Sequence, residues 1–270
     1  MSAPYAEVIG DPISHSKSPL IHGFWLEKLG IEGDYRAAHV TADALPAYFE
    51  SRRADPLWRG CNVTVPHKLA VMEFVGDPGG VRDGIGAMNT VLRAPDGALT
   101  GTNTDAGGFF TPLSDIPLAG APVTVIGAGG AARAVLFALS RIGVGPVAIL
   151  NRNVLKGAGL LAAFGLKGQA LPLDAALPPS ALIVNASTLG MAGMPPLAPD
   201  LSAQPEDCVV YDIVYAPLQT DLLAAAEAQG LETIDGLEML VGQAALAFEL
   251  FFGVAPPREH DAELRERLLA

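Results

Sequence analysis

Val123-Thr124-Val125-Ile126-Gly127-Ala128-Gly129-Gly130-Ala131-Ala132-Arg133 is the stretch that decides the fold. Four β-branched residues run into a glycine-rich turn and then into small helix-forming residues, the pattern of a buried strand feeding a helix. The spacing fits G-x-G-x-x-A, and each position has a physical task in a nucleotide-binding turn. Gly127 permits the sharp bend, Gly129 lets backbone approach a pyrophosphate, and Ala132 lets the helix pack closely on the strand. A pyrophosphate would rest on the backbone of Gly127, Ala128, Gly129, Gly130 and Ala131. There the first helical N–H groups lack intrahelical partners and the helix dipole favours negative charge. Any tight strand-to-helix turn asks for glycine, so the fingerprint alone says little. Its flanks decide for a dinucleotide: a strand before, a helix over Gly130–Ile142, and a second strand at Val147–Leu150.

The end of that second strand selects the nucleotide. An Asp or Glu there would take a ribose 2′-hydroxyl. This chain has neutral Asn151, then cationic Arg152, with Lys156 one helical turn further on. A 2′-phosphate asks for cationic, multidentate donors, which Arg supplies, so the cofactor expected is NADP (NADPH). Downstream, the helix 154–164, strands at 182–185 and 209–211, a helix at 220–229 and a strand at 232–234 repeat the β-α-β pattern. That pattern predicts a doubly wound parallel sheet, the Rossmann arrangement. Helices over 236–252 and 259–269 close the chain.

Upstream, Ala6–Gly10, Tyr35–Val40 and Gly60–Val65 read as strands. Ser18 is expected to cap a helix over Pro19–Leu29, and Thr41 one that runs to about Arg53. Residues 90–92 and 99–102 form a hairpin across Pro95-Asp96-Gly97. The fold class is therefore α/β with two domains.

The formal net charge is −12, and no Lys or Arg occurs between Lys167 and Arg258. A nucleic-acid binder needs clustered cations, so that role is not expected. An anionic ligand would have to find Lys17, Lys68, Arg133, Arg152 or Lys156. The two cysteines, Cys61 and Cys208, show neither metal-ligand spacing nor a disulfide framework, and no metal cluster is visible. The N-terminus lacks a signal-peptide pattern, and the apolar stretch from Val123 to Leu139 is too broken to span a membrane. A cytoplasmic protein that does not contact membranes is expected, as a monomer or homodimer.

Several further motifs occur in order. They are Ser16-Lys-Ser18-Pro19, Asn62-Val-Thr64-Val-Pro66-His67-Lys68, Gly86-Ala-Met-Asn89-Thr90 and Gly101-Thr-Asn103-Thr104-Asp105 in the first half. The second half adds Val184-Asn185-Ala-Ser187, Asp212-Ile-Val-Tyr215-Ala-Pro217 and Gly236-Leu-Glu-Met239-Leu-Val-Gly-Gln243. Jointly these resemble the shikimate dehydrogenase family over nearly the whole chain. Two positions depart from the commonest pattern: His67 stands before the lysine where Phe is frequent, and Asn153 follows Asn-Arg where Thr is frequent.

The resemblance implies a substrate-binding domain of residues 1–103 and 238–270, an NADP-binding domain of 104–237, and C-terminal helices that return to the first domain. It implies reversible NADPH-dependent reduction of 3-dehydroshikimate to shikimate. Lys68 and Asp105 would form the catalytic dyad. Ser16 and Ser18 would hold the substrate carboxylate, and Thr64, Asn89 and Gln243 its ring hydroxyls, with Tyr215 nearby. Ser187, Gly236 and Met239 would lie on the nicotinamide side. His67 and His15 read as wall or surface residues rather than bases. Three other readings stand beside this one. They are a quinate/shikimate dehydrogenase that uses NAD or NADP, a non-catalytic ligand sensor, and a dehydrogenase of folate one-carbon units.

Overall fold

Strand β1 (Tyr5–Gly10) is buried along its whole length. The reason is its neighbours. It pairs in parallel with β2 (Asp34–His39) on one side and β3 (Trp58–Val63) on the other, a central position that asks for an apolar run. Helix α1 (Ser18–Leu29) connects β1 to β2, and α2 (Leu45–Arg53) connects β2 to β3. A short α3 (Val81–Gly84) precedes β4 (Thr90–Arg93) and β5 (Leu99–Thr102). The last two form the antiparallel hairpin that the turn sequence predicts, with Gly97 at φ 84°. The strand order is β2-β1-β3-β4-β5.

Two helix starts differ from expectation. Ser18 is the first residue of α1 and does not cap it. The cap position is Lys17, and no side chain caps the helix. Thr41 precedes a single 3-10 turn at Ala42–Ala44 rather than α2 itself. Pro46 then sits in the first turn of α2, where its missing N–H costs nothing.

The structure, a computed structural model, describes residues 3–270. The chain divides into one unit running to Thr104 and resuming at Gln243, and a second unit, Asp105–Gly242. The second unit opens with α4 (Asp105–Phe110) and continues through β6 (Val123–Ile126), α5 (Gly130–Ile142), β7 (Val147–Leu150) and α6 (Val154–Ala163). It goes on through β8 (Gly168–Leu171), β9 (Leu182–Asn185), β10 (Val209–Asp212), α7 (Asp221–Ala228) and β11 (Glu232–Ile234). All its strand pairs are parallel, in the order β11-β10-β9-β6-β7-β8. The winding reverses between β6 and β9, which is the point where such sheets bind ligands beyond their carboxyl ends.

Strand β8 has no counterpart in the sequence reading. It is an edge strand of four residues, Gly-Gln-Ala-Leu, exposed or partly exposed throughout, so it carries no apolar run to betray it.

Helix α8 (Gly236–Phe252) contains the boundary at Gly242, and α9 (Asp261–Leu269) closes the chain. Against α1, α9 sets the ion pairs Lys28–Glu263 at 2.6 Å and Arg267–Glu27 at 3.3 Å. Both pairs are partly exposed and contribute little. Burial of Leu264 and Leu268 does more to hold α9 down.

Candidate active site

In the first unit, β1 and β3 are parallel, so their carboxyl ends share one edge of the sheet. Because β4 is antiparallel to β3, its start lies at that edge, and so does the end of β5. Ser16 and Ser18 follow β1, Thr64 and Lys68 follow β3, Asn89 precedes β4, and Thr104 follows β5. Topology alone therefore gathers residues that are far apart in sequence.

Backbone bonds tie these loops together. Thr64 N–H donates to Ile9 at 2.9 Å, Val63 N–H to Asn89 at 2.7 Å, and Met88 N–H to Lys68 at 2.8 Å. A Cβ at Gly10 would lie 2.7 Å from the Thr64 methyl, so the β1 turn needs glycine for close approach.

Asn89 is the hub of this edge. Its Oδ1 accepts from Thr104 N–H at 2.7 Å and from the Thr90 hydroxyl at 3.0 Å. Its Nδ2 donates to Thr104 Oγ1 at 2.9 Å and to Gln243 Oε1 at 3.4 Å. Asn89, Thr104 and Gln243 are all buried, so the structure brings together two of the expected substrate residues and pins the residue just before Asp105. Asp105 is itself buried and begins α4. Asn62, Thr90 and Thr104 belong to this polar cluster and were not expected as site residues. Their signal was present in the quoted motifs, but periodicity cannot tell a buried Thr that bonds an Asn from an ordinary strand Thr.

Two other first-unit residues are occupied elsewhere. His67 is buried, with Nε2 2.6 Å from the Val40 carbonyl, so it is structural rather than a base. Lys17 donates to the Leu268 carbonyl at the end of α9.

In the second unit, the carboxyl ends of β6, β7, β9 and β10 again share one edge and carry Gly127, Asn151, Ser187 and Tyr215 respectively. Gly127 has φ 111°, a conformation that favours glycine, and a Cβ there would lie 2.9 Å from the Ala186 carbonyl. A Cβ at Gly129 would meet no protein atom within 4 Å, so the space above this turn is open. Gly129 is the N-cap of α5 with no side-chain cap, which leaves the first N–H groups of a 13-residue helix facing that turn. These features fit a pyrophosphate.

Arg152 and Lys156 are exposed beside the end of β7. Asn151 donates to the Asn153 carbonyl at 2.8 Å, and Asn153 caps α6 by accepting from Lys156 N–H at 3.1 Å. Asn153 thus stands where it does as a helix cap.

Around Asp212, side chains organise the next two loops. Its carboxylate accepts from Asn185 at 2.9 Å, Thr220 at 2.8 Å and Val214 N–H at 2.9 Å. Burial pushes the Asp212 carboxyl up, and those three donors oppose the shift. Asn185 Oδ1 in turn accepts from the Ser187 hydroxyl at 2.7 Å and its N–H at 3.1 Å, fixing the Ser187 loop. Burial also raises the Tyr215 phenol. Gly236 is explained by packing, since a Cβ would lie 2.4 Å from the Val214 carbonyl. Met239 is buried in the core with Phe109 and Tyr211, whose rings stack at 5.0 Å.

Comparison with known proteins agrees with this geometry. Residues 8–91 match the family model for the shikimate dehydrogenase substrate binding domain, and residues 236–263 match the shikimate 5′-dehydrogenase C-terminal domain. A shikimate dehydrogenase (NADP(+)) of Sphingopyxis alaskensis is 69% identical over 269 residues, covering 100% of this chain and 98% of that protein. The crystal structure of shikimate 5-dehydrogenase from Thermus thermophilus with NADP(H) and shikimate superposes with TM-score 0.86. It is 39% identical and covers 98% of this chain and 100% of its own. A quinate dehydrogenase from Corynebacterium glutamicum in complex with NAD gives TM-score 0.84 at 29% identity, with 98% and 99% covered. Identity of this extent over the full length leaves one conclusion: the chain belongs to the shikimate dehydrogenase family.

Proposed function

We propose that this enzyme interconverts 3-dehydroshikimate and shikimate with NADPH and NADP+. The observation that carries the reading is the 69% identity, end to end, with an NADP(+)-dependent shikimate dehydrogenase. The uncapped α5 N-terminus and the basic pair Arg152 and Lys156 support the cofactor. The Asn89 hub supports a polyhydroxylated substrate, whose hydroxyls need fixed donors and acceptors.

In this reading residues 127–131 hold the pyrophosphate. Asn151, Arg152 and Lys156 hold the 2′-phosphate side, and Ser187, Gly236 and Met239 the nicotinamide side. When bound, NADPH supplies a hydride to the carbonyl carbon. Ser16 and Ser18 bind the carboxylate, and Thr64, Asn89, Gln243 and Tyr215 bind and orient the ring hydroxyls. Lys68 meets the oxygen that gains charge and gives it a proton, while Asp105 orients Lys68 and accepts from a ring hydroxyl. In the oxidative direction each transfer reverses.

Residues up to 103 with 238–270 serve as the substrate domain and 104–237 as the NADP domain. The described residues include no helix long and apolar enough to cross a membrane. We take the enzyme to be cytoplasmic, a monomer or homodimer, where its buried free thiols Cys61 and Cys208 stay reduced.

The test is a grid of shikimate and quinate, each with NADP+ and NAD+, followed by reduced-nicotinamide absorbance. Shikimate with NADP+ should give the highest kcat/KM. A higher value for quinate with NAD+ would replace the reading with that of the quinate enzyme.

A further inference from the structure

Beneath the polar edge of the first unit lies a buried tyrosine that no expectation included. Tyr35 projects from β2 and is 5% exposed. Its hydroxyl donates to Asn62 Oδ1 at 2.6 Å. Asn62 Nδ2 donates to Thr90 Oγ1 at 3.0 Å and to the Asn89 carbonyl at 3.3 Å. The Thr90 hydroxyl passes the chain to Asn89 Oδ1. One continuous relay therefore runs from Tyr35, through Asn62 and Thr90, to Asn89.

Its direction is not arbitrary, because backbone groups anchor both amides. The Asn89 carbonyl can only accept, so Nδ2 of Asn62 must face it and Oδ1 must face Tyr35. Thr104 N–H can only donate, so Oδ1 of Asn89 must face it. The Tyr35 proton is thereby committed to Asn62. The ring is fixed from its other side by His22, stacked face to face at 3.9 Å and 4°.

We infer that Tyr35 is a positioning residue for the proposed reaction, holding, through Asn62 and Thr90, the Asn89 amide in the orientation that receives the hydroxy acid. The inference rests on the reading of Asn89 as a substrate contact. A satisfied buried network of this kind holds each member in one orientation, and losing one link releases the rest. Tyr35 has no role in moving the proton or holding the dinucleotide.

The test is Tyr35→Phe in the full chain, which keeps the ring and its stacking and removes only the hydroxyl. KM for shikimate should rise about five- to tenfold, the usual effect of one lost hydrogen bond. The kcat should stay within about twofold and KM for NADP+ should not move. A KM for shikimate unchanged within about twofold overturns the inference. So does a rise in both KM values together with a fall in kcat, which would mark a merely structural role.

A cycle with Thr90→Val tests the coupling. The penalty of that change on KM should largely vanish in the Tyr35→Phe background, and equal penalties in both backgrounds refute the relay. Should Tyr35→Phe give no folded protein, Thr90→Val reads the same chain and Thr90→Ser should restore it. A Thr90→Val enzyme with unchanged KM for shikimate refutes the relay just as well. The wild-type assay keeps the two readings apart. If wild type turns over quinate but not shikimate, the functional reading falls and the relay is tested on KM for quinate. If it turns over neither acid, the inference falls with that reading.

Discussion

His22 makes the first unit sensitive to acid, and the size of the effect can be worked out. Its side chain is fully buried among Tyr35, Trp25, Phe248 and Phe251, and neither ring nitrogen finds a hydrogen-bond partner among the described residues. Burial pushes its pKa down from 6.5 to about 3. The folded state thus holds His22 neutral while the unfolded chain protonates it below 6.5. The sign follows: the cost is absent above that pH and grows as pH falls, levelling off only near the folded pKa. Each pH unit within the window costs about 1.4 kcal/mol, so moving from neutral pH to about pH 5 removes about 2 kcal/mol. That is a large share of a typical margin of ~5–15 kcal/mol.

Both tryptophans, Trp25 and Trp58, lie in the first unit, so their fluorescence follows that unit's unfolding without the second. Urea titrations at neutral pH and near pH 5 should show wild type losing about 2 kcal/mol more than His22→Phe over the same interval. The comparison removes the contributions of carboxylates common to both proteins. Parallel losses in the two proteins would refute a neutral buried imidazole.

Two further outcomes concern catalysis and the cofactor. Lys68→Ala should lower kcat with shikimate by about 10²- to 10⁴-fold, the range for a lost acid/base. The Kd for NADPH by fluorescence titration should be nearly intact, and near-normal turnover would remove Lys68 from the proton transfer. Arg152→Ala should raise KM for NADP+ about tenfold or more while leaving KM for NAD+ unchanged, since a charge-assisted bond to a phosphate is lost. Equal effects on both cofactors would show that Arg152 does not read the 2′ position.

Much of this was legible in the residues themselves. The 123–133 turn specified a strand, a bend and a helix because glycine and β-branched residues act on their own backbone. The hairpin at Pro95-Asp96-Gly97 was legible for the same reason. The parallel sheet of the second unit followed from repeated β-α-β units, whose connections are short and of fixed hand. By contrast β8 was missed, because edge pairing with β7 holds it rather than any apolar pattern. Ser18 was read as a helix cap and is instead the first residue of α1, because the helix begins one residue earlier, after Lys17.

By itself, then, the order of residues determined most of the elements, the dinucleotide turn and the identities of the polar side chains. Those depend on local sterics and on interactions a few residues apart. Only the tertiary structure decided which polar groups meet: Asn89 with Thr104 and Gln243, Asn62 with Tyr35, and Asp212 with Asn185. Hydrogen bonds act over about 3 Å in space, and it is the pairing of strands within each sheet that brings these groups so close.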